Sequence, residues 1–535
     1  LNSPPSDAAA IQPNRNEDLL MKPMKFGVGQ AVKRVEDVRF ITGRGAYGAD
    51  HLPAGALHAA FLRSPHAHAR FSFEDLETAR AMPGVKAVYT ADDFAALGDL
   101  PCLSIPDVHD TIAPLTSYPV LAKGETHHVG DAIAMVVAES EIEARDAVEA
   151  VGVDWEQLPA VADMRAALEP GAPQVFSDAP GNVAVDSHIG DKAKADAIFA
   201  SAAHVVRLPV VNQRLVSNYM EPRSAIGEYD PASGRYTLHA SSQGVHGLRN
   251  NIAERILKIE PEKLRVVTTD VGGGFGVKAV VYREYPLVLE AAKRLGQPVV
   301  WIADRSEHFL GDAHGRDNLT DAEMALDKNG RFLALRIDIL GNVGGYLSQN
   351  GPYIPWLGAT MATGPYDIPA IYVRCRSVYT HTVPVEAYRG AGRPEAAYVL
   401  ERLVDECARA LAMPREAIRA LNFIKPAQMP YHTPTDRTYD VGEFEAAMRE
   451  ALGKADYAGF EKRAEEAKAR GKLRGVGIAS YIECTAWYDL EEGSVELNPD
   501  GTFTVLIGTQ SNGQGHETAY AQAASQFLDV PLDRI

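Results

Sequence analysis

The sequence predicts a mixed α/β chain of several domains, on three observations. Its 535 residues exceed what a single hydrophobic core organises, which leads to an expectation of three or four domains. Short β-like apolar runs alternate with helical periodicities along most of its length. Three glycine-dense stretches lie far apart, each after an apolar or extended-looking segment: Val271-Gly272-Gly273-Gly274-Phe275-Gly276-Val277-Lys278, Ala387-Tyr388-Arg389-Gly390-Ala391-Gly392-Arg393-Pro394, and Asn512-Gly513-Gln514-Gly515-His516-Glu517.

Residues 1–25 are polar and rich in Pro and Ala, lack the apolar stretch of a signal peptide, and read as a flexible tail. A first α/β block, residues 26–160, carries β-like runs at 55–62 and 85–90 and a proline-marked loop at 100–124. It continues with a strand at 132–137, a helix opened by the Ser140/Glu143 capping box, and a strand at 152–155. Residues 161–182 read as a Pro/Gly-rich linker. Between 183 and 425 the alternation resumes, with strands at 236–240 and 264–270 and helices at 246–258 and 282–295. The clearest helix follows Arg389. Pro394 sits at its first position, and Val399, Leu400, Leu403, Val404, Cys407, Ala408 and Leu411 form one apolar face. A charged amphipathic helix at 444–470 opens the last block, 426–535. Two strands and the third glycine stretch then lead into a helix at about 516–528.

The balance of 53 basic against 71 acidic residues, a net charge of −18, argues against nucleic acid or an anionic membrane as partner. No run of about 18 apolar residues exists to cross a bilayer. Cys102, Cys375, Cys407 and Cys484 are scattered, so a disulfide framework, a zinc site and an iron–sulfur cluster are not expected. Reduced thiols fit a cytoplasmic location, and electrons from any redox step must leave through another polypeptide.

Glycine lets a backbone approach a ligand closely and reach positive φ. Three such loops, two with Arg, Gln or His beside the glycines, suggest convergence on a large polar, phosphate-bearing cofactor. The spacing Gly-x-Gly-x-x-Gly is absent, so they are not a dinucleotide fingerprint. Together, in this order, they resemble the molybdenum-binding large subunit of the xanthine oxidase family, the molybdenum hydroxylases. The likeness is greatest to its separate-subunit bacterial members, including carbon monoxide dehydrogenase-like proteins, and runs from about Gly27 to the end.

That resemblance implies an N-terminal α/β hammerhead domain followed by two molybdenum-cofactor-binding domains, the second incomplete here. It implies molybdopterin cytosine dinucleotide carrying molybdenum, with no protein metal ligand, and 2Fe-2S and FAD held by a small iron–sulfur subunit and a flavin subunit. Gln243 matches the glutamine whose amide donates to the molybdenum oxo group; without the resemblance it reads as a surface glutamine at a strand end. Gly274, Phe275 and Gly276 match the loop whose backbone N–H groups reach the metal–pterin centre, against a plain turn. Arg389 matches the pterin-binding arginine, against a solvated loop arginine. Gln514, Gly515 and His516 match the loop that holds the cofactor's phosphate and pterin end, against a helix-capping turn. The paired histidines 127–128 and 66/68 read as surface or satisfied structural groups.

Three departures narrow the chemistry. Gly390 stands where carbon monoxide dehydrogenases place a copper-holding cysteine, so copper chemistry is not expected. Ala279, Leu357 and Ala391 align with the Glu, Arg and Phe of purine-oxidising members, which argues against a xanthine-type substrate. Tyr481, Glu483 and Cys484 align with the pocket's other wall, although an edge strand explains them equally well. The family's Gly-x-Gly-Glu general base is missing before Ile535, so that carboxylate is expected outside this chain, in a C-terminal half of a truncated or split subunit. Glu483 is an internal substitute. The resemblance thus implies an oxidoreductase acting on an aldehyde or aromatic N-heterocycle with water as oxygen source. The alternative is a cofactor-binding or assembly scaffold without turnover.

Overall fold

The computed structural model describes residues 27–484 and 490–535, so the tail expected at 1–25 lies outside the described residues. The chain divides into two compact units, one of Tyr47–Thr485 and one joining Leu1–Ala46 with Ala486–Ile535. The boundaries expected near 160, 183 and 425 therefore all fall inside the larger unit.

In that unit the strands run β1 (Leu57–Arg63), β2 (Ala69–Asp75), β3 (Val85–Thr90), β4 (His109–Ile112), β5 (Glu125–Thr126), β6 (Ala132–Ala138), β7 (Gly152–Gln157) and β8 (Val183–Gly190). They continue as β9 (His204–Asn212), β10 (Ser224–Asp230), β11 (Arg235–Ala240), β12 (Leu264–Val267), β13 (Val299–Ile302), β14 (Asn318–Leu326), β15 (Phe332–Gly344) and β16 (Ile371–Tyr379). A seven-stranded sheet has the order β12-β11-β10-β13-β1-β6-β3, a six-stranded sheet β4-β8-β16-β15-β14-β9, and a small one β5-β2-β7. The first sheet thus mixes strands from either side of residues 161–182, which explains why one unit spans them.

Local chemistry accounts for the elements. All seven residues of β6 are buried because β6 lies between β1 and β3. Ser140 caps the helix Glu141–Glu149 by accepting from the Glu143 N–H. The helix Arg393–Ala410 has Pro394 second rather than first, and buries Val399, Leu400, Leu403, Val404, Cys407 and Ala408 against β14–β16 core residues.

Two helices differ from expectation. The stretch 444–470 is two helices, Phe444–Lys454 and Phe460–Ala469, because Asp456 turns left-handed at φ +46° between them. The helix expected at 246–258 winds from His246–Asn250 into a wider π turn, Asn251–Leu257, ending on left-handed Lys258.

A buried ion lattice ties the larger unit together. Arg223 donates to Asp312 (2.7 Å) and Glu284 (2.8 Å), and Arg63 on β1 donates to Glu284 and Glu307, both at 2.7 Å. Burial alone would raise the Glu284 carboxyl, but the two guanidiniums outweigh it and hold it down at about 2. The smaller unit packs its N-terminal segment on the helix His516–Leu528, through the Arg39–Glu517 pair and the Val35 N–H to Thr518 Oγ1. No helix among the described residues is long and apolar enough to cross a membrane.

Candidate cofactor site

The first glycine stretch leaves β12 and is anchored at both ends by one residue, Glu221. Its Oε2 accepts from Gly272 N–H at 2.8 Å and from the fully buried Lys278 ammonium at 3.1 Å, while its carbonyl takes a second Lys278 bond at 2.7 Å. Burial pushes the Lys278 amine down, against the pull of Glu221. A lysine so desolvated needs that carboxylate, so its function is to fix the loop. Between the anchors the backbone turns left-handed at Gly273, Phe275 and Gly276, with φ of +90°, +55° and +106°. Phe275 is consequently presented at the surface, 41% exposed.

Gln243 lies over this loop. Its backbone N–H donates to Lys278 O at 3.0 Å, and its Oε1 accepts from Gly276 N–H at 2.7 Å. A Cβ on Gly274 would stand 2.4 Å from that oxygen, so any larger residue would have to displace the Gln243 side chain. With Oε1 committed, the amide orientation is fixed and Nε2 is left to donate; among the described residues no acceptor is recorded for it. The Gly276 N–H, one of the backbone donors expected to reach a cofactor, is engaged by Gln243 here.

The second glycine stretch docks on the first. Arg389 N–H donates to Phe275 O at 2.8 Å, and a Cβ on Gly276 would come within 2.4 Å of Ala387 O. Arg316 clamps the loop from outside, donating to Tyr388 O (3.1 Å), Arg389 O (2.6 Å) and Glu395 (2.7 Å). Buried Glu386 holds its start, accepting from Ala387 N–H at 2.7 Å and from Asn350. The Arg389 side chain is exposed, and among the described residues no carboxylate pairs with it.

Gly390 is left-handed at φ +87°, and a Cβ there would meet Pro394 Cγ at 2.3 Å. The same Cβ would lie 3.8 Å from Glu483 Oε2, which brings Glu483 beside this loop. Glu483 is committed: Arg393 Nε donates to its Oε1 at 2.6 Å and so does Cys484 N–H at 2.9 Å. Tyr481 and Glu483 line a groove of about 660 Å³ with Arg393, Pro394 and Tyr398.

Of the other expected pocket residues, Ala279 is exposed and follows the first loop, and Ala391 is half-buried in the second. Leu357 is buried in the helix Tyr353–Ala359, and Cys484 is exposed. In the smaller unit Gln514 folds onto its own loop, accepting from Asn512 N–H and donating to Gln510 O, while Gly515 (φ +83°) and His516 open the helix His516–Leu528. His68, His127 and His128 are all buried, so the surface alternative for them falls. Sequence reasoning missed Glu221, Arg316 and Glu386. Only Lys278, a cation abutting a glycine run and so in need of a carboxylate, hinted at them.

These features suit a polar, anionic cofactor. Glycines clear the cradle, the Gln243 amide is held by its Oε1, and among the described residues the exposed Arg389 guanidinium pairs with no carboxylate. Residues 42–159 match the aldehyde oxidase and xanthine dehydrogenase a/b hammerhead domain, and residues 175–423 and 450–535 match two models described as molybdopterin cofactor-binding domain. The chain is 34% identical over 531 residues to the carbon monoxide dehydrogenase large chain of Hydrogenophaga pseudoflava, covering 94% of this chain and 65% of that one. Quinoline 2-oxidoreductase from Pseudomonas putida 86 superposes with a TM-score of 0.88 at 34% identity, over 96% of this chain and 66% of that one. A Cu,Mo-CO dehydrogenase structure gives 0.85 at 32% identity, over 95% and 67%. The chain spans roughly two-thirds of the length of these relatives. With the hammerhead match, both cofactor-domain matches and this likeness in sequence and structure, the chain belongs to the molybdenum-binding large subunits of the xanthine oxidase family.

Proposed function

We propose that this chain is the cofactor-binding subunit of a molybdenum hydroxylase that oxidises an aldehyde or an aromatic N-heterocycle with water as oxygen source. The cofactor is molybdopterin cytosine dinucleotide, and the groups of the larger unit that hold it are Gln243, the Phe275 loop and Arg389. When bound, it supplies a metal centre that accepts two electrons from substrate. The observation that carries the reading is the Gln243 amide, whose Oε1 is held by the Gly276 N–H, on the same loop whose Phe275 carbonyl accepts from the Arg389 N–H. A fixed N–H donor at a site of developing negative charge stabilises that charge without reorganising. Arg389 adds the charge-assisted bond that an anionic ligand needs.

Electrons leave to a small iron–sulfur subunit and a flavin subunit, since the four cysteines are ungrouped, and the location is the cytoplasm. Gly390 supports a copper-free site: a cysteine there would combine a left-handed backbone with a clash against Pro394. Alanine at 279 and 391 favours a substrate other than a purine. The groove at Tyr481 and Glu483 is the proposed substrate wall, and the general base is proposed to come from outside residues 1–535.

Arg389→Ala should lower pterin and molybdenum content several-fold while the circular dichroism spectrum stays unchanged. Gln243→Ala should keep the cofactor and slow turnover, by about 10²–10³-fold if its donor acts as an oxyanion-type stabiliser. Unchanged pterin content in Arg389→Ala would refute the reading. One observation favours a second reading, a cofactor-binding scaffold without turnover: Glu483 is engaged by Arg393 and Cys484 and is not poised as a base. Dye-coupled oxidation of an aldehyde and N-heterocycle panel by the cofactor-loaded complex separates the two, since the scaffold reading requires no turnover.

A further inference from the structure

Two groups of metal-ligating side chains lie outside the cofactor site. The first, His68, His127 and His381, is buried and brings one ring nitrogen from each within 4.8 Å of the others. Its tautomers defeat it as a metal site. Val161 N–H donates to His381 Nδ1 at 3.1 Å, which leaves the hydrogen of the neutral ring on Nε2, where a metal needs a lone pair.

The second group has no such conflict. His51 precedes β1, Glu228 lies on β10 and His239 on β11. In the β10–β11 pairing Ile226 faces His239 and Glu228 faces Thr237, which puts Glu228 and His239 diagonally on one face of the sheet. The Nε2 atoms of both histidines stand 3.7 Å from the same oxygen, Glu228 Oε1. That distance is too long for a hydrogen bond. Among the described residues no hydrogen bond is recorded for either imidazole. The rings lie against each other with centroids 3.9 Å apart.

A tetrahedral zinc with bonds of about 2.0–2.1 Å sets neighbouring ligand atoms about 3.3–3.4 Å apart, whereas an octahedral ion of the same bond length sets them about 3.0 Å apart. The observed spacing lies closer to the first. The stacked rings need only swing about their side-chain bonds to converge, and all three residues are partly exposed, which leaves them room. Two ligands on paired strands give the rigid part of such a site, and a fourth position stays open to water. Arg265 on β12 is the nearby cation that opposes it, with Glu228 supplying the compensating negative charge.

We propose that His51, Glu228 and His239 form a zinc site of two imidazoles and one carboxylate, separate from the cofactor loops. Its ion clips the segment leading into β1 onto the β10–β11 face. The test uses the purified full chain, stripped with a chelator and titrated with Zn²⁺ by calorimetry, with zinc-edge X-ray absorption on the loaded protein. The expected result is one zinc per chain in a nitrogen/oxygen shell without sulfur. His51→Gln, Glu228→Gln and His239→Gln should each stay folded and weaken binding by more than the roughly 10–100-fold that losing an outer hydrogen-bond partner costs. No stoichiometric uptake by the wild-type chain overturns the proposal. So does uptake that all three variants retain, or that only His68→Gln or His127→Gln removes.

Discussion

At the scale of single residues, the glycines at and beside the first loop act through two separable effects, backbone handedness and close approach. Gly244 and Gly276 both sit at positive φ, +95° and +106°, but nothing lies within 4 Å of a Cβ at Gly244, whereas Gly276 faces Ala387 O at 2.4 Å. Gly244→Ala should therefore cost about 1 kcal/mol of stability from backbone strain alone. Gly276→Ala should cost more, about 2–4 kcal/mol, and should also reduce cofactor content, because it pushes the Arg389 loop off the Phe275 loop. Urea unfolding of both variants with parallel pterin assays checks this. Equal losses in the two would show that the loops do not depend on their contact. Gln243 illustrates what sequence offers at this scale. Its motif marks it as a candidate, but the Gly276 bond that orients it is a contact over 33 positions and leaves no mark in the chain.

Among the elements, the helix Arg393–Ala410 was the most legible, because six core residues recur at helical spacing and packing enforces that pattern. The stretch 444–470 was misread as one helix because a polar periodicity continues across Asp456, whose left-handed turn no period reveals. The carboxylates that organise the loops, Glu221 and Glu386, were illegible, since an acid in sequence carries no sign of what it will hold. The helix Glu284–Leu295 yields a pH prediction through its first residue. Glu284 titrates at about 2 in the fold against 4.5 in the free side chain. Its depressed carboxyl contributes stability that is complete above about pH 4.5 and is lost as pH falls through about 2. Glu284→Gln should cost about 3–5 kcal/mol at pH 7, by stranding Arg223 and Arg63. The deficit should shrink by about 2 kcal/mol by pH 3, as the wild type loses its advantage. A deficit constant between those pH values would contradict the charge lattice.

For the whole molecule, three glycine loops far apart in the chain, in that order and spacing, were enough to indicate the family. The fold class followed from alternating β and helical patterns, while the interleaving of the first sheet did not. The first sheet weaves strands from before and after the linker expected at 161–182, and pairing between β1 and β13 is invisible to local patterning. The central claim is that the Gln243–Phe275–Arg389 cradle holds a molybdenum–pterin cofactor and no copper. Metal analysis of the purified complex, with release and identification of the pterin nucleotide, tests it most directly. The account predicts about one molybdenum and one cytosine-bearing pterin per copy of this chain. Stoichiometric copper bridged to molybdenum, or a correctly folded complex that takes up no pterin, would contradict it.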